Sequence, residues 1–242
     1  MAHFYLNEHL LNAEVGSLVT LSGAEARHAV TVSRVRVGDT VVVGNGAGLT
    51  VTGSVTVAEN TELVLAVTNV TSAAQPAPAM WLAQALAKGD RDEMAVQAAT
   101  ELGVDGVIPW SASRSVSRWE GAKVRKGHDR WTAIVREATK QSVRPWLPEV
   151  AELMSTKQLT SVAASTQMLV LDPDATTRLS EVELGDKDVV IVVGPEGGIT
   201  PAELESFVAA GAIRVRLGQS VLRTSTAGPA AIAVLSAKLG RW

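Results

Sequence analysis

Apolar residues along this 242-residue chain follow two different periods. Up to about residue 72 they come in short runs broken by turn residues. Residues 40–43 run into Gly44-Asn45-Gly46-Ala47-Gly48, and residues 49–57 then alternate apolar and polar side chains. Alternation sends one face of a strand into a core and the other into water, and Asn-Gly between such runs accepts the backbone of a tight hairpin. Residues 62–70 predict one more strand. The expectation for residues 1–72 is a small β-barrel domain. Residues 71–78 hold two prolines among small side chains, which predicts a linker.

From residue 79 the period changes. Residues 80–87 predict a buried strand, and residues 90–102 a helix closed by Gly103. Residues 107–109 form a short strand. Residues 128–143 predict a second helix, with Trp131, Ile134, Val135 and Ala138 on one face. A helix near 156–164 leads into a strand at 167–171, and 189–193 is another strand. The next helix carries its own start signal: Thr200 at the N-cap, Pro201 at N1 and Glu203 at N3 make a capping box, and Gly211 ends it. Residues 213–217 give the last strand and 226–239 the last helix. Strands alternating with helices over residues 73–242 predict an α/β domain, a parallel sheet flanked by helices.

Composition narrows the picture. A hydrophobic fraction of 46% is that of a globular chain, and the absence of cysteine excludes disulfides and thiolate metal sites. No metal partner is expected. The first residues lack the basic and apolar regions of a signal peptide, and the longest apolar runs are strand-sized. A cytoplasmic protein with no membrane partner is the expectation. The net charge of −3 is unevenly spread. Residues 1–72 hold three basic residues against six acidic ones, whereas residues 110–147 hold nine against three. Such a basic stretch is either a phosphate-binding surface or a solvated helix face. Arg34 and Arg36 in the first part, and Arg114, Arg118, Lys123, Arg125 and Lys126 in the second, are the candidate phosphate contacts, and so the RNA contacts if the partner is a nucleic acid. Tryptophans are interleaved with the latter group. Trp131 falls on the apolar helix face, so Trp119 is the candidate for stacking on a base.

Ligands of open parallel sheets bind beyond the carboxyl ends of the strands. Three strands here end in informative loops: Leu171-Asp172-Pro173, then Gly194-Pro195-Glu196-Gly197-Gly198, then Leu217-Gly218-Gln219-Ser220 leading into Val221-Leu222-Arg223-Thr224. Glycines let backbone approach a ligand closely. Loops of this kind usually cradle phosphate, but Pro195 removes a donor and Glu196 adds a negative charge. A neutral or cationic ligand suits the loop better, although a tight turn needing glycine for geometry alone would look the same. Neither a G-x-G-x-x-G fingerprint nor a Walker A motif occurs, which argues against dinucleotides and nucleoside triphosphates.

The GPEGG-to-LRT pattern of residues 189–239 resembles the SPOUT class of methyltransferases, most closely the RsmE family of 16S rRNA uridine-N3 methyltransferases. Lys88-Gly89-Asp90 with Glu101-Leu102-Gly103-Val104 is similar to a further block of that family, as is the run 137–144 with Pro148. His28, Val32, Arg34, Gly38 and Asp39 resemble its PUA-like RNA-binding module. The resemblance implies an N-terminal PUA-like barrel and a C-terminal SPOUT domain with a trefoil knot. It implies S-adenosylmethionine as cofactor, held by Leu171, Gly194, Pro195, Glu196, Gly197, Gly198, Leu217, Gly218, Gln219, Ser220, Val221 and Leu222. It also implies 16S rRNA in the 30S subunit as partner, and a homodimer; the last helix, rich in alanine and leucine, is the candidate interface. One departure stands out: the family often has glutamate after Arg-Thr, where this chain has Ser225.

Removing the N3 proton of uridine places negative charge on the flanking carbonyl oxygens. A guanidinium there would stabilise it, which makes Arg223 the candidate catalytic residue, with a salt bridge or helix contact as its alternative role. Glu196 is open to three roles: base, neighbour of a cationic ligand, or holder of the loop. His28 is open to a structural or a catalytic role, and the resemblance implies that it packs the RNA-binding module. The competing class is a non-catalytic RNA-binding or ribosome-assembly factor on the same fold.

Overall fold

A computed structural model describes residues 3–242. Contacts divide them into two compact units, one up to Gln75 with Thr139–Leu147, the other Pro76–Ala138 with Pro148–Trp242. The segment Thr139–Leu147, far along the chain, has no counterpart in a single cut at residue 72. Its backbone explains its membership: Gly48 N donates to Pro145 O at 2.9 Å, Leu147 N to Gly46 O at 2.9 Å, and the Trp146 indole to Ala73 O at 3.0 Å.

The first unit contains β1 (His3–Leu6), β2 (Leu18–Ser22), α1 (Gly23–Arg27) continuing into a wider helical turn (His28–Val32), β3 (Thr40–Gly44), β4 (Leu49–Ala58) and β5 (Glu62–Ser72). The five strands form one curled sheet in the order β1-β3-β4-β5-β2, with β1 parallel to β3 and the other pairs antiparallel. Two register shifts along β4 and β5, at Thr52/Gly53 and Val55/Val57, put bulges in the longest hairpin, and bulges bend a sheet. The curl brings the two edges together, where the Asn7 side chain donates to Thr20 O at 3.1 Å. Alternate residues of β3, β4 and β5 (Val41, Val43, Val51, Val55, Leu63, Leu65) fill the core, as the period-two pattern predicts. The Asn45-Gly46 turn is wider than a two-residue hairpin: Asn45 Oδ1 accepts from both Ala47 N and Leu49 N, at 2.8 and 3.0 Å, capping a four-residue loop.

The second unit contains β6 (Met80–Ala85), α2 (Arg91–Glu101), β7 (Gly106–Ser111), α3 (Ala122–Gln141), whose last turn belongs to the first unit, β8 (Glu149–Val150), β9 (Met154–Ser155), α4 (Thr156–Val162), β10 (Gln167–Leu171), β11 (Val189–Val193), α5 (Pro201–Ala209), β12 (Ile213–Val215) and α6 (Thr224–Lys238). Its sheet is wholly parallel, in the order β12-β10-β11-β6-β7-β8, with β9 also on β7. All five residues of β11 are buried, which is why that strand reads as an unbroken apolar run. Trp110 and Phe207 pack edge to face at 5.5 Å between β7 and α5.

Two elements differ from the periodicity reading. The helix expected at 128–143 begins six residues earlier, because its first turns are basic and carry no apolar stripe to betray them. The last helix packs its buried side (Gly228, Pro229, Ala231, Ile232, Leu235) in its own unit, against α2, β6 and β11. That part of its alanine- and leucine-rich surface is committed to the monomer. Among the described residues, no helix is long and apolar enough to cross a membrane.

The C-terminal end is tied back by Arg241, whose guanidinium donates to Asp105 Oδ2 at 2.8 Å, Gly103 O at 3.3 Å and Pro78 O at 2.5 Å. Asp105 also accepts from Met80 N at 2.8 Å, so one carboxylate anchors β6 and the C-terminus together. Arg241→Ala is expected to lower the free energy of urea unfolding by about 2 kcal/mol. A loss below about 0.5 kcal/mol, the size of an ordinary surface change, would contradict that anchoring role.

Candidate functional site

Strands β10, β11 and β12 are adjacent and parallel, so their three following loops leave the sheet at one edge. They enclose a cleft of about 660 Å³, within the range of small-molecule sites. Leu171, Gly194, Pro195, Glu196, Gly198, Leu217, Gly218, Ser220, Val221 and Leu222 line it, and so does Arg223. Gly197 and Gln219 belong to the same loops but not to the cleft wall. Thr224, the last residue of the third loop segment, lines it too, whereas sequence reasoning passed over Arg91, Asp174 and Arg216. Arg91 comes from a helix start, which nothing in strand-end reasoning singles out.

The loop after β11 folds on itself. Gly198 N donates to Pro195 O at 2.9 Å, and Gly198 has φ +72°, a conformation that side chains rarely tolerate. A side chain at Gly194 would meet Ile199 Cγ1 at 2.6 Å, so backbone and side chain share space that only glycine frees. These glycines therefore serve the turn itself. The loop ends at the capping box the sequence predicts: Thr200 Oγ1 accepts from Glu203 N at 3.2 Å, and Glu203 Oε2 accepts from Thr200 N at 3.0 Å. Glu203 does more than cap. Its other oxygen accepts from Ser113 N at 2.8 Å and Thr156 Oγ1 at 2.9 Å, which ties α5 to the β7 loop and α4. Burial pushes its carboxyl up, but the Ser113 and Thr200 donors outweigh burial and hold it below the usual carboxylate range.

Glu196 is occupied in the same way. Its Oε1 accepts from Arg91 Nη1 at 2.9 Å and from Lys88 N at 3.3 Å. Burial alone would raise its pKa, yet its own backbone N–H, the Arg91 guanidinium and Lys88 N–H together hold it below the ordinary glutamate value. Of the three roles open to it, the geometry assigns holding the loop, and a depressed pKa is wrong for a base at neutral pH. Lys88-Gly89-Asp90 thus acquires a purpose: Gly89 and Asp90, both left-handed at φ +63° and +57°, turn the chain so that Lys88 N and Arg91 face Glu196. From the other side, Arg114 Nη1 donates to Gly197 O at 3.0 Å.

Three carboxylates and no histidine line the cleft. Glu196 pairs with Arg91, and Asp172 with Arg214, whose Nε lies 2.5 Å from Asp172 Oδ2. Asp174 is exposed, with no ion pair among the described residues. Arg223 is exposed too, and among the described residues its guanidinium has no ion pair, so the salt-bridge role open in the sequence has no partner here.

The expected RNA contacts are dispersed. Arg34 and Arg36 are exposed in the first unit, on the turn before β3, where Asp39 Oδ2 accepts from Arg36 N at 2.8 Å. Arg114 and Arg118 follow β7, with Arg118 Nη2 donating to Ser113 O at 3.2 Å. Lys123, Arg125 and Lys126 are exposed on the first turns of α3. Trp119 does not stand free: its ring packs edge to face on Trp131 at 5.4 Å, over Gly127, where a side chain would collide with it. His28 lies edge-on to buried Tyr5 at 6.4 Å, beside the core of the curled sheet.

Residues 75–236 match the family described as an RNA methyltransferase domain, and residues 21–68 one described as an RNA methyltransferase PUA domain. The protein named ribosomal RNA small subunit methyltransferase E from Mycobacterium bovis is 40% identical over 235 residues, 95% of this chain and 90% of the relative. Its namesake from Bacillus subtilis is 28% identical over 246 residues, covering 98% and 96%. Among solved structures, the enzyme of that name from Neisseria gonorrhoeae, bound to S-adenosyl methionine, superposes with a TM-score of 0.88 at 28% identity, covering 98% of each chain. A protein from Legionella pneumophila in complex with SAM gives 0.87 at 28% identity, again covering 98% of each. Likeness of this extent in sequence and in fold leaves one assignment: the chain belongs to the RNA methyltransferase family, alongside ribosomal RNA small subunit methyltransferase E.

Proposed function

We propose that this chain transfers a methyl group from S-adenosylmethionine to N3 of one uridine in 16S rRNA of the small ribosomal subunit, acting in the cytoplasm. The observation that carries the reading is the cleft at the ends of β10, β11 and β12, with Arg223, whose guanidinium has no ion pair among the described residues, on its wall. The relative from Neisseria gonorrhoeae, crystallised with the cofactor, supports it.

The residues present fit the group. Leu171, Leu217, Val221, Leu222 and Pro195 offer apolar surface for a purine, and the glycine-bearing loops expose backbone for its polar edge. Gly198 N is already used within its turn and Pro195 has no N–H, so the loop offers fewer backbone donors than a phosphate cradle of the same length. Of the three carboxylates on the wall, Glu196 and Asp172 are paired, which leaves Asp174 to face a cationic ligand. When bound, the cofactor supplies an electrophilic methyl group; positioning the nucleophile in line with it is the protein's task. Arg223 faces the uridine carbonyl oxygens and stabilises the charge that grows on them as N3 loses its proton. With Glu196 committed to Arg91, that proton passes to water. The N-terminal unit, Arg34, Arg36 and the basic residues 114–126 hold the RNA through its phosphates. The reading includes the trefoil knot, and a homodimer in which exposed Val221 and Leu222 beside the cleft are covered.

Deletion of the gene should abolish 3-methyluridine in 16S rRNA, measured by mass spectrometry of the digested RNA; an unchanged level refutes the activity. Calorimetry separates this reading from a non-catalytic RNA-binding factor, which would not bind S-adenosylmethionine.

Arg223→Ala should lower turnover about a hundredfold, as expected for removal of a transition-state donor, with cofactor affinity changed less than threefold. An equal or larger loss of affinity would contradict the role assigned to Arg223. The Glu196 latch has its own pH signature. A carboxyl whose folded pKa is depressed contributes above its ordinary pKa and is lost only as pH falls through the lower, folded value. Cofactor affinity should therefore stay level from pH 7 down to about 5 and weaken only below the ordinary glutamate value of about 4.3. Arg91→Ala should move that loss to higher pH. A midpoint near pH 6 in the wild type, unmoved by Arg91→Ala, would exclude the latch.

A further inference from the structure

One side chain in the middle of the parallel sheet breaks its apolar rule. Gln84 lies on β6, between β11 and β7, and is fully buried among apolar neighbours. Its amide nitrogen spends both protons, one on Ala85 O at 3.1 Å and one on Thr224 Oγ1 at 2.8 Å. Thr224, itself buried at the first position of α6, has a single hydroxyl proton and gives it to Gly194 O at 2.8 Å. The directions are forced. Thr224 cannot donate to Gln84 while donating to Gly194, and reversing the amide would set its oxygen against the Ala85 carbonyl. The remaining Gln84 Oε1 is buried with no hydrogen-bond partner among the described residues. An unmet polar atom in a sheet interior is a cost of about 1–3 kcal/mol that an apolar residue at this position would avoid.

We propose that Gln84 is a positioning residue: through Thr224 it fixes the Gly194 carbonyl against the start of α6 and so sets Arg223 relative to the Gly194–Gly198 loop. Two cleft loops that are distant in sequence are joined by this relay. Gly194 opens the loop after β11, and Arg223 is the residue immediately before Thr224. Arg223 O in turn accepts from Thr226 N at 2.8 Å and Ala227 N at 2.9 Å, so the first turn of α6 is built on the residue that the relay holds. Glutamate at position 84 would lose both donors. Methionine would keep the volume and lose the relay.

The kinetic part of this inference rests on the cleft being the methyl-transfer site; the geometric part does not. Three variants separate them: Gln84→Met, Thr224→Val, which keeps shape without the hydroxyl, and Thr224→Ser, which keeps the hydroxyl. In the ligand-free protein, amide hydrogen exchange of segments 194–200 and 221–227 should accelerate together, about five- to tenfold, in Gln84→Met and in Thr224→Val. Thr224→Ser should stay within about twofold of wild type. Turnover should fall by a similar factor in the first two variants, and the double variant should be no worse than the poorer single one, because both act through one carbonyl. If exchange accelerates in only one loop, or the two losses multiply, there is no relay. Should Gln84→Met fail to fold, the contrast between Thr224→Val and Thr224→Ser decides alone. If the wild type binds no S-adenosylmethionine, the methyltransferase reading falls, while coupled exchange in the two loops would still establish the relay.

Discussion

Everything in the second unit depends on burying one strand completely. β11 presents five consecutive apolar residues, and its backbone pairs with β10 on one side and β6 on the other. A strand buried on both faces must be covered by helices above and below, and parallel pairing then sends every crossover back to the same starting edge. The carboxyl ends of β10, β11 and β12 consequently come out side by side. The cleft follows from this pairing and is not an addition to it. What the loops add is a way to satisfy the polar backbone exposed where the ladder stops, and they do so with Glu196, Glu203 and Thr224.

These three residues share a logic. Each is a polar side chain that bonds both a main-chain group and a side chain of other segments, so each ties a strand end to its neighbours. Glu203 gathers donors from α5, the β7 loop and α4, Glu196 binds the start of α2, and Thr224 grips Gly194 O. Ionised acceptors held this way lie below their usual pKa in spite of burial, which keeps the scaffold charged and intact across neutral pH. Asp92 shows the opposite balance. It also accepts from backbone, at Ala87 N and Glu93 N, but deeper burial wins and its carboxyl is raised.

Legibility in the sequence followed the range of the interaction. Period-two alternation marked β3, β4 and β5, continuous apolar runs marked β6 and β11, and the Thr200–Glu203 box was readable to the residue because all its partners lie within four positions. The membership of the three cleft loops was readable because strand ends carry ligands in any open parallel sheet. Resemblance supplied what pattern does not contain, the methyl donor and the RNA. Misreadings came where distant segments meet. A basic helix start without an apolar stripe hid the first turns of α3, and packing on Gly127 and Trp131 turned Trp119 from a free face into a half-buried one. Arg91 gave no signal because its partner is 105 positions away. Gln84 did leave one, a lone amide inside the apolar run 80–87, and a buried polar residue in such a run is worth treating as a site residue from the outset.

Ser225 can now be placed within this scheme. The first turn of α6 contains no acidic side chain, so nothing there complements the partial positive charge of its N-terminus, which a glutamate at position 225 would do. Nor does Arg223, at the N-cap, offer a side-chain acceptor to the free amides of that turn. The helix start therefore depends on other supports: Arg223 O accepting from Thr226 N and Ala227 N, and Thr224 anchored through its hydroxyl to Gly194 O and Gln84. Leaving the position uncharged has a consequence for the cleft. A carboxylate at position 225 would bring a negative charge into the turn that opens at Arg223, whereas serine leaves that cation without an ion pair among the described residues.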